Sequence, residues 1–164
     1  MLITNEDNMK LMSRYEDNYF DLAIVDPPYG INASEMTMGS GKNKKYSKGK
    51  KWDNKTPEQK YFDELFRVSK NQIIWGFNHF LDKLPNTKAV IFWNKHQNGY
   101  FAEGELAWCS IGTVKYYDRA YQKDIGNKIH PTQKPLHLYE WILMNYAKEG
   151  DKILDTHLGS GSIA

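Results

Sequence analysis

Apolar residues along the chain fall in short blocks of two kinds. Leu22-Ala23-Ile24-Val25, Gln72-Ile73-Ile74-Trp75, Ala89-Val90-Ile91-Phe92-Trp93 and Lys152-Ile153-Leu154 are compact runs bounded by turn residues, the pattern of buried strands. Between them Tyr61, Phe62, Leu65 and Phe66 recur at helical spacing, as do Leu136, Tyr139, Ile142, Leu143 and Tyr146; that spacing gathers apolar side chains on one helix face. The first of these helices is predicted to start with Thr56 as N-cap, Pro57 at the first helical position and Gln59 completing a capping box, and to end at Asn71. The second covers 136–148, and Gly150 follows its end. Weaker patterns predict a short strand at Leu2-Ile3-Thr4, a helix over 8–14, a helical turn from His79 to Leu84 stopped by Pro85, a helix over 101–110, and one or two strands within 113–121. Strands alternating with helices predict an α/β fold with a mostly parallel sheet. The 164 residues make one domain, 1–164, large enough for a core.

Composition narrows the function classes. Cys109 is the single cysteine, so no intrachain disulfide forms, and a reducing cytoplasm is the expected compartment. No apolar run reaches the length of a membrane span, and the N-terminus has no signal-peptide pattern. The five histidines, His79, His96, His130, His137 and His157, have no zinc-site spacing, so no metal is expected; His137 reads as a helix-surface residue and Cys109 as core. Charge is uneven: residues 36–55 hold Lys42, Lys44, Lys45, Lys48, Lys50, Lys51 and Lys55 against Asp53 alone, while the whole chain is only +2. This long loop reads either as a solvated surface or as a contact for a polyanion, with Tyr46 and Trp52 available to stack on bases.

Two strand ends carry candidate chemistry. After Val25 the chain reads Asp26-Pro27-Pro28-Tyr29. The prolines cannot continue a sheet ladder, so a carboxylate and an aromatic ring are set on a stiff corner at the strand's carboxyl end, the edge where open α/β sheets bind ligands. After Leu154 comes Asp155-Thr156-His157-Leu158-Gly159-Ser160-Gly161. Such a turn lets a ligand approach the backbone closely; alone it reads equally as a helix-entry turn, and it lacks the Gly-Lys-Ser/Thr of a nucleoside-triphosphate loop.

Taken together and in this order, the corner, the His130-Pro131-Thr132-Gln133-Lys134-Pro135 segment and the glycine turn resemble the S-adenosylmethionine-dependent DNA amino-methyltransferases. They are similar to the β-group adenine-N6 enzymes, in which the catalytic tetrad comes first, target recognition follows and the cofactor loop comes last. The resemblance implies a Rossmann-like methyltransferase fold with helices on both faces of the sheet and circularly ordered motifs. It implies methyl transfer from S-adenosylmethionine to the N6 amino group of adenine in DNA, at a base flipped out of the duplex. Asp26, Pro27, Pro28 and Tyr29 are then catalytic, Asp26 and the Pro27 carbonyl accepting the two amino N–H bonds and Tyr29 stacking on the base. Asp7, His130, Thr132, Lys134, Asp155, Gly159 and Gly161 are implied to bind the cofactor, Asp7 toward its adenine and Lys134 toward its carboxylate; Asp7 reads equally as an exposed turn acid. Lys42, Lys44, Lys45, Lys48, Lys50, Lys51 and Trp52 are the implied DNA contacts, and 98–127 the target-recognition region. Phe77 and Phe80 read as core, with Asn78 a possible polar site residue. DNA is the expected partner, a homodimer is compatible, and no membrane contact is expected. A restriction–modification system, protection of a viral genome or regulation would each suit such an enzyme.

The chain departs from that pattern in two places. Thr156 and His157 stand where relatives carry proline and phenylalanine, so the ring that packs on the cofactor is expected to be missing. The chain also stops at Ala164, two residues into the expected next helix, which predicts a fragment or a truncated form with an incomplete cofactor half. A non-catalytic DNA-binding remnant of the fold and an N4-cytosine enzyme are the alternative readings. A protein-glutamine methyltransferase is disfavoured by the motif order and by aspartate, not asparagine, at position 26.

Overall fold

A computed structural model describes residues 1–33, 53–97, 102–120 and 132–164. Six strands form one sheet: β1 (Leu22–Val25), β2 (Gln72–Trp75), β3 (Ala89–Asn94), β4 (Gly104–Cys109), β5 (Lys115–Asp118) and β6 (Ile153–Leu154), in the order β5-β3-β4-β2-β1-β6. β1 pairs in parallel with β2 and β6, and β3 in parallel with β5; β4 is antiparallel to both β2 and β3. Five strands therefore point the same way and β4 alone runs against them, so the expected mostly parallel sheet is formed. β1 and β2 are buried on both faces, which is why they read as unbroken apolar runs.

The helices cover both faces. α1 (Asn8–Met12) and α2 (Gln59–Val68) pack Met12, Tyr61, Phe62, Leu65 and Val68 against Ala23, Val25, Ile74 and Trp108. On the other face α3 (Leu136–Tyr146) packs Leu138, Tyr139 and Ile142 against Leu22, Ile24, Trp75 and Trp93. The carboxyl ends of β1 and β6 stand side by side between these two layers. No helix among the described residues is long and apolar enough to cross a membrane.

Several local expectations are corrected. Residues 104–109 form a strand where a helix was expected. Glu105, Ala107 and Cys109 alternate with Leu106 and Trp108, and pairing along the whole of β4 with β3 and over three residues with β2 decides the conformation. α2 begins at Gln59, with Glu58 at the N-cap and no side-chain cap bond. Gln59 turns forward to Asp63 (2.9 Å) and to the Lys83 carbonyl (3.3 Å) instead of back, and Thr56 accepts from Lys83 Nζ at 3.3 Å. α2 ends at Val68 because Ser69 is drawn into an extended bridge with Phe20. Leu136, the first residue of α3, is half exposed and Leu138 takes its expected place in the core. Leu2 and Ile3 are exposed and lie outside the sheet. The turn after β2 is two short 3-10 turns, Phe77–His79 and Leu81–Lys83.

Candidate active site at the carboxyl ends of β1 and β6

β1 ends at Val25 and delivers Asp26 to the sheet edge. One carboxylate oxygen, Oδ1, accepts from the Tyr29 hydroxyl at 2.6 Å; the other, Oδ2, accepts from the Lys134 ammonium at 2.5 Å. A carboxylate has about four lone-pair sites, so these two bonds leave about two for a substrate donor. The Tyr29 ring stacks on His79 with centroids 4.9 Å apart and planes 11° from parallel. It lies so close to Gly76 that a Cβ there would fall 2.0 Å from the ring, and Gly76 also has φ +68°. Only glycine fits both demands. Downstream, buried Asp53 accepts from the Gly30 and Ala33 amides, both at 2.9 Å, which clamps the chain leaving the corner.

Lys134 is almost wholly buried, its side chain 4% exposed. Besides Asp26 it faces Glu105 Oε2 at 3.1 Å, an ion pair without hydrogen-bond alignment, and the Tyr29 hydroxyl at 3.4 Å. The ammonium also lies over the Trp75 ring, 5.3 Å from its centroid, and 5.8 Å from that of Tyr29. Burial alone would lower its pKa, but the carboxylates of Asp26 and Glu105 hold it well above the usual lysine value. Burial pushes the Tyr29 hydroxyl well up, and the Asp26 charge adds to the rise, so it stays a neutral donor.

The second part of the site follows β6. Asp155 Oδ1 accepts from the His157 amide at 2.8 Å. Burial raises its carboxyl to about 7; the His157 amide opposes the rise and the Asp26 charge adds to it. His157 is pushed down to about 4 by burial and is a neutral ring. Asn8 Nδ2 donates to its Nε2 at 3.2 Å, which leaves Nδ1 protonated toward Thr156 Oγ1 at 2.9 Å. Tyr61 closes the cluster, 2.7 Å from Thr156 Oγ1 and edge-on to the imidazole at 5.4 Å. The imidazole is thus held by Asn8, Thr156 and Tyr61.

Asp7 caps α1, accepting from the Lys10 amide at 3.1 Å, and its neighbour Asn8 holds His157, so the N-terminal turn and the glycine turn lie together. Gly159 and Gly161 have φ +56° and +74°, and a Cβ at Gly161 would meet nothing within 4 Å. The Gly161 backbone is thus open on its Cβ side, four residues beyond the His157 amide that the Asp155 carboxylate accepts from. Thr132, half buried, opens the segment that carries Lys134. Asn78 lies in the 3-10 turn after Gly76.

The structure brings together Asp26, Tyr29 and Lys134, and separately Asp7, Asp155, Gly159 and Gly161. His130 and the implied DNA contacts Lys42, Lys44, Lys45, Lys48, Lys50, Lys51 and Trp52 lie outside the described residues, as do 98–101 and 121–127 of the expected recognition region, whose described part carries β4 and β5. Sequence reasoning missed Glu105, Asp53, Tyr61 and His79 as neighbours of the site. Glu105 carried one signal: it shares a strand face with the buried Ala107 and Cys109. Among the described residues no group of His, Cys, Asp and Glu side chains could hold a metal ion.

A family model described as DNA methylase, of the N6/N4 class, matches residues 42–164. The Type II methyltransferase M.HpaI of Haemophilus parainfluenzae is 22% identical over 94% of this chain, and the chain spans 62% of its length. M2.DpnII of Streptococcus pneumoniae is 25% identical over 99% of the chain, which spans 78% of that relative. Among solved structures, a DNA modification methylase from Thermus thermophilus superposes with a TM-score of 0.55 at 14% identity, covering 96% of this chain and 79% of its own. The same protein complexed with S-adenosyl-L-methionine gives 0.52 at 17% identity, covering 96% and 80%. At such identities the structural likeness is one of fold, the Rossmann-like fold expected from the motif order.

Proposed function

The chain belongs to the N6/N4 DNA methylase family, and from that premise we propose that it methylates the N6 amino group of adenine in DNA. The observation that carries this reading is the Asp26 carboxylate, held rigidly at the end of β1 by Tyr29 and Lys134 with acceptor capacity to spare. An adenine amino group is a poor nucleophile because its lone pair is delocalised into the ring. Asp26 accepts one amino N–H and the Pro27 carbonyl the other, which draws the nitrogen toward a tetrahedral, nucleophilic form. S-adenosylmethionine, when bound, supplies an electrophilic methyl group. As the amino nitrogen takes the methyl group, the methyl carbon's bond to the sulfonium sulfur would break and a neutral thioether would leave, while the surplus amino proton passes to Asp26 and on to solvent. Orienting the amine in this way supplies much of the rate.

Asp155, with the backbone of Gly159 and Gly161, would hold the cofactor, together with Asp7 and Thr132. Thr132 lies two residues before Lys134, whose ammonium sits on Asp26, so one short segment would serve both halves. Tyr29 offers its ring to the flipped base. Aspartate at position 26 favours adenine over cytosine.

The test is incubation of the chain with methyl-labelled S-adenosylmethionine and duplex DNA, followed by nucleoside analysis. N6-methyladenine, abolished by Asp26→Ala, is expected. N4-methylcytosine would refute the choice of base, and no transfer with cofactor-free DNA binding would favour the non-catalytic alternative.

A further inference from the structure

The charges around Asp26 continue beyond the residues that reach a substrate. Lys95 follows β3, Glu105 is the second residue of β4, and because β4 runs against its neighbours its first residues come to the edge where the other strands end. Lys95 Nζ donates to Glu105 Oε1 at 3.0 Å, Glu105 Oε2 faces Lys134 at 3.1 Å, and Lys134 donates to Asp26 at 2.5 Å. The four charges alternate in sign, and the Lys95 and Lys134 side chains are only 10% and 4% exposed. Burial would raise the Glu105 carboxyl, but Lys134 and Lys95 outweigh it and hold it below its usual value, so Glu105 stays ionised.

The members differ in how firmly their backbones are held. Glu105 is fixed in the ladder opposite Trp93, flanked by the Asn94–Gly104 pair and by the Lys95 amide on the Glu103 carbonyl at 2.8 Å. Lys134 lies in the segment before α3, outside helix and sheet, on a long stem with high rotamer entropy. Without a second anchor its ammonium would follow Asp26 rather than fix it.

We propose that Glu105 is a positioning residue: it anchors the Lys134 ammonium to the sheet, so that Asp26 presents its remaining lone pairs in one orientation. This rests on the methyl-transfer reading above. A merely structural role for Glu105 would lower the melting temperature and leave turnover per folded molecule unchanged.

Glu105→Gln keeps the shape and removes the charge. Expected is a fall in kcat of about 100-fold, the effect of a ~1 Å misplacement, with unchanged KM for DNA and for S-adenosylmethionine. Combined with Lys134→Met, Glu105→Gln should slow the enzyme no further than Lys134→Met alone. A wild-type kcat in Glu105→Gln, or additive losses in the double variant, overturns the proposal. A readout independent of turnover is the 15N NMR signal of the Lys134 ammonium. It should be protected from exchange in the wild type and broadened or lost in Glu105→Gln. If the wild type transfers no methyl group, the functional reading fails, and that spectrum decides the positioning role: an unmoved signal overturns it and a lost one supports it. If Glu105→Gln does not fold, Glu105→Asp, which keeps the charge but withdraws it by one methylene, is read by the same measurements and expected to lower kcat.

Discussion

Gly76→Ala is the sharpest perturbation of the Asp26–Tyr29 corner that touches none of its polar groups. The new Cβ would lie 2.0 Å from the Tyr29 ring, and ordinary contact begins at 3.4 Å, so the ring must retreat by about 1.4 Å. His79 is stacked on the same ring, with centroids 4.9 Å apart, so the retreat also disturbs that contact. Retreat carries the hydroxyl away from Asp26, where the bond is 2.6 Å. Alanine at φ +68° adds roughly 1–2 kcal/mol of backbone strain, and the broken hydrogen bond about 1 kcal/mol. For a domain of this size roughly 2–3 kcal/mol lowers the melting temperature by about 4–12 °C. Displacing Tyr29 and loosening Asp26 by more than ~1 Å should lower kcat by about 100-fold or more. The assay pairs thermal unfolding with methyl transfer to adenine-containing duplex DNA below both melting points. Tyr29→Phe is the control: it removes the hydroxyl without moving the ring, so its loss should be smaller than that of Gly76→Ala. Wild-type kcat and melting temperature in Gly76→Ala would refute the reasoning, because the contact on which it rests would not exist.

The second half of the site titrates in two opposite senses. Asp155 is raised from 3.8 to about 7, so the folded state binds its proton more tightly than the unfolded chain, and stability falls as pH rises between those values. Asp155→Asn should therefore melt higher than wild type at pH 8 without cofactor, by up to roughly 4 kcal/mol, and match it near pH 4; a constant difference across pH would contradict this. His157 is lowered from 6.5 to about 4, so the unfolded chain takes up its proton first, and stability is lost as pH falls through that window. His157→Phe should flatten that acid limb, worth roughly 3 kcal/mol by pH 4, as followed by urea unfolding at a series of pH values. Replacing Lys44, Lys45 and Lys48 by glutamine should reduce the salt dependence of DNA binding by about 0.9 log units per log salt for each phosphate no longer neutralised; an unchanged slope in a titration series would remove that loop from the DNA interface.

How far the sequence could be read followed from what each pattern depends on. β1 and β2 are buried on both faces, and their runs Leu22–Val25 and Gln72–Trp75 read as inner strands of a mostly parallel sheet. α2 was legible by its stripe, although its start was not: the Thr56-Pro57-Gln59 signal is real, but Thr56 and Gln59 are both engaged with Lys83. β4 was misread because its apolar residues carry no strong local preference. Its conformation comes from partners in β3, ten to twenty residues away in sequence, and in β2, over thirty.

The same distinction explains which parts of the site were visible. Asp26 and Asp155 each follow a strand directly, so the chain's own order announces them as groups at the sheet edge. Glu105 sits at the opposite, amino-terminal end of its strand, and only the reversal of β4 brings it to that edge. A reader who takes 101–110 as a helix loses the reversal and with it the counter-ion of Lys134. In the fold two protein carboxylates, at 2.5 and 3.1 Å, hold Lys134, and the topology supplies the second of them. The Asp26 and Lys134 charges both act on the Asp155 carboxyl, which couples the two halves of the site electrostatically. Changes on β4 are therefore expected to register at the Asp26 carboxylate.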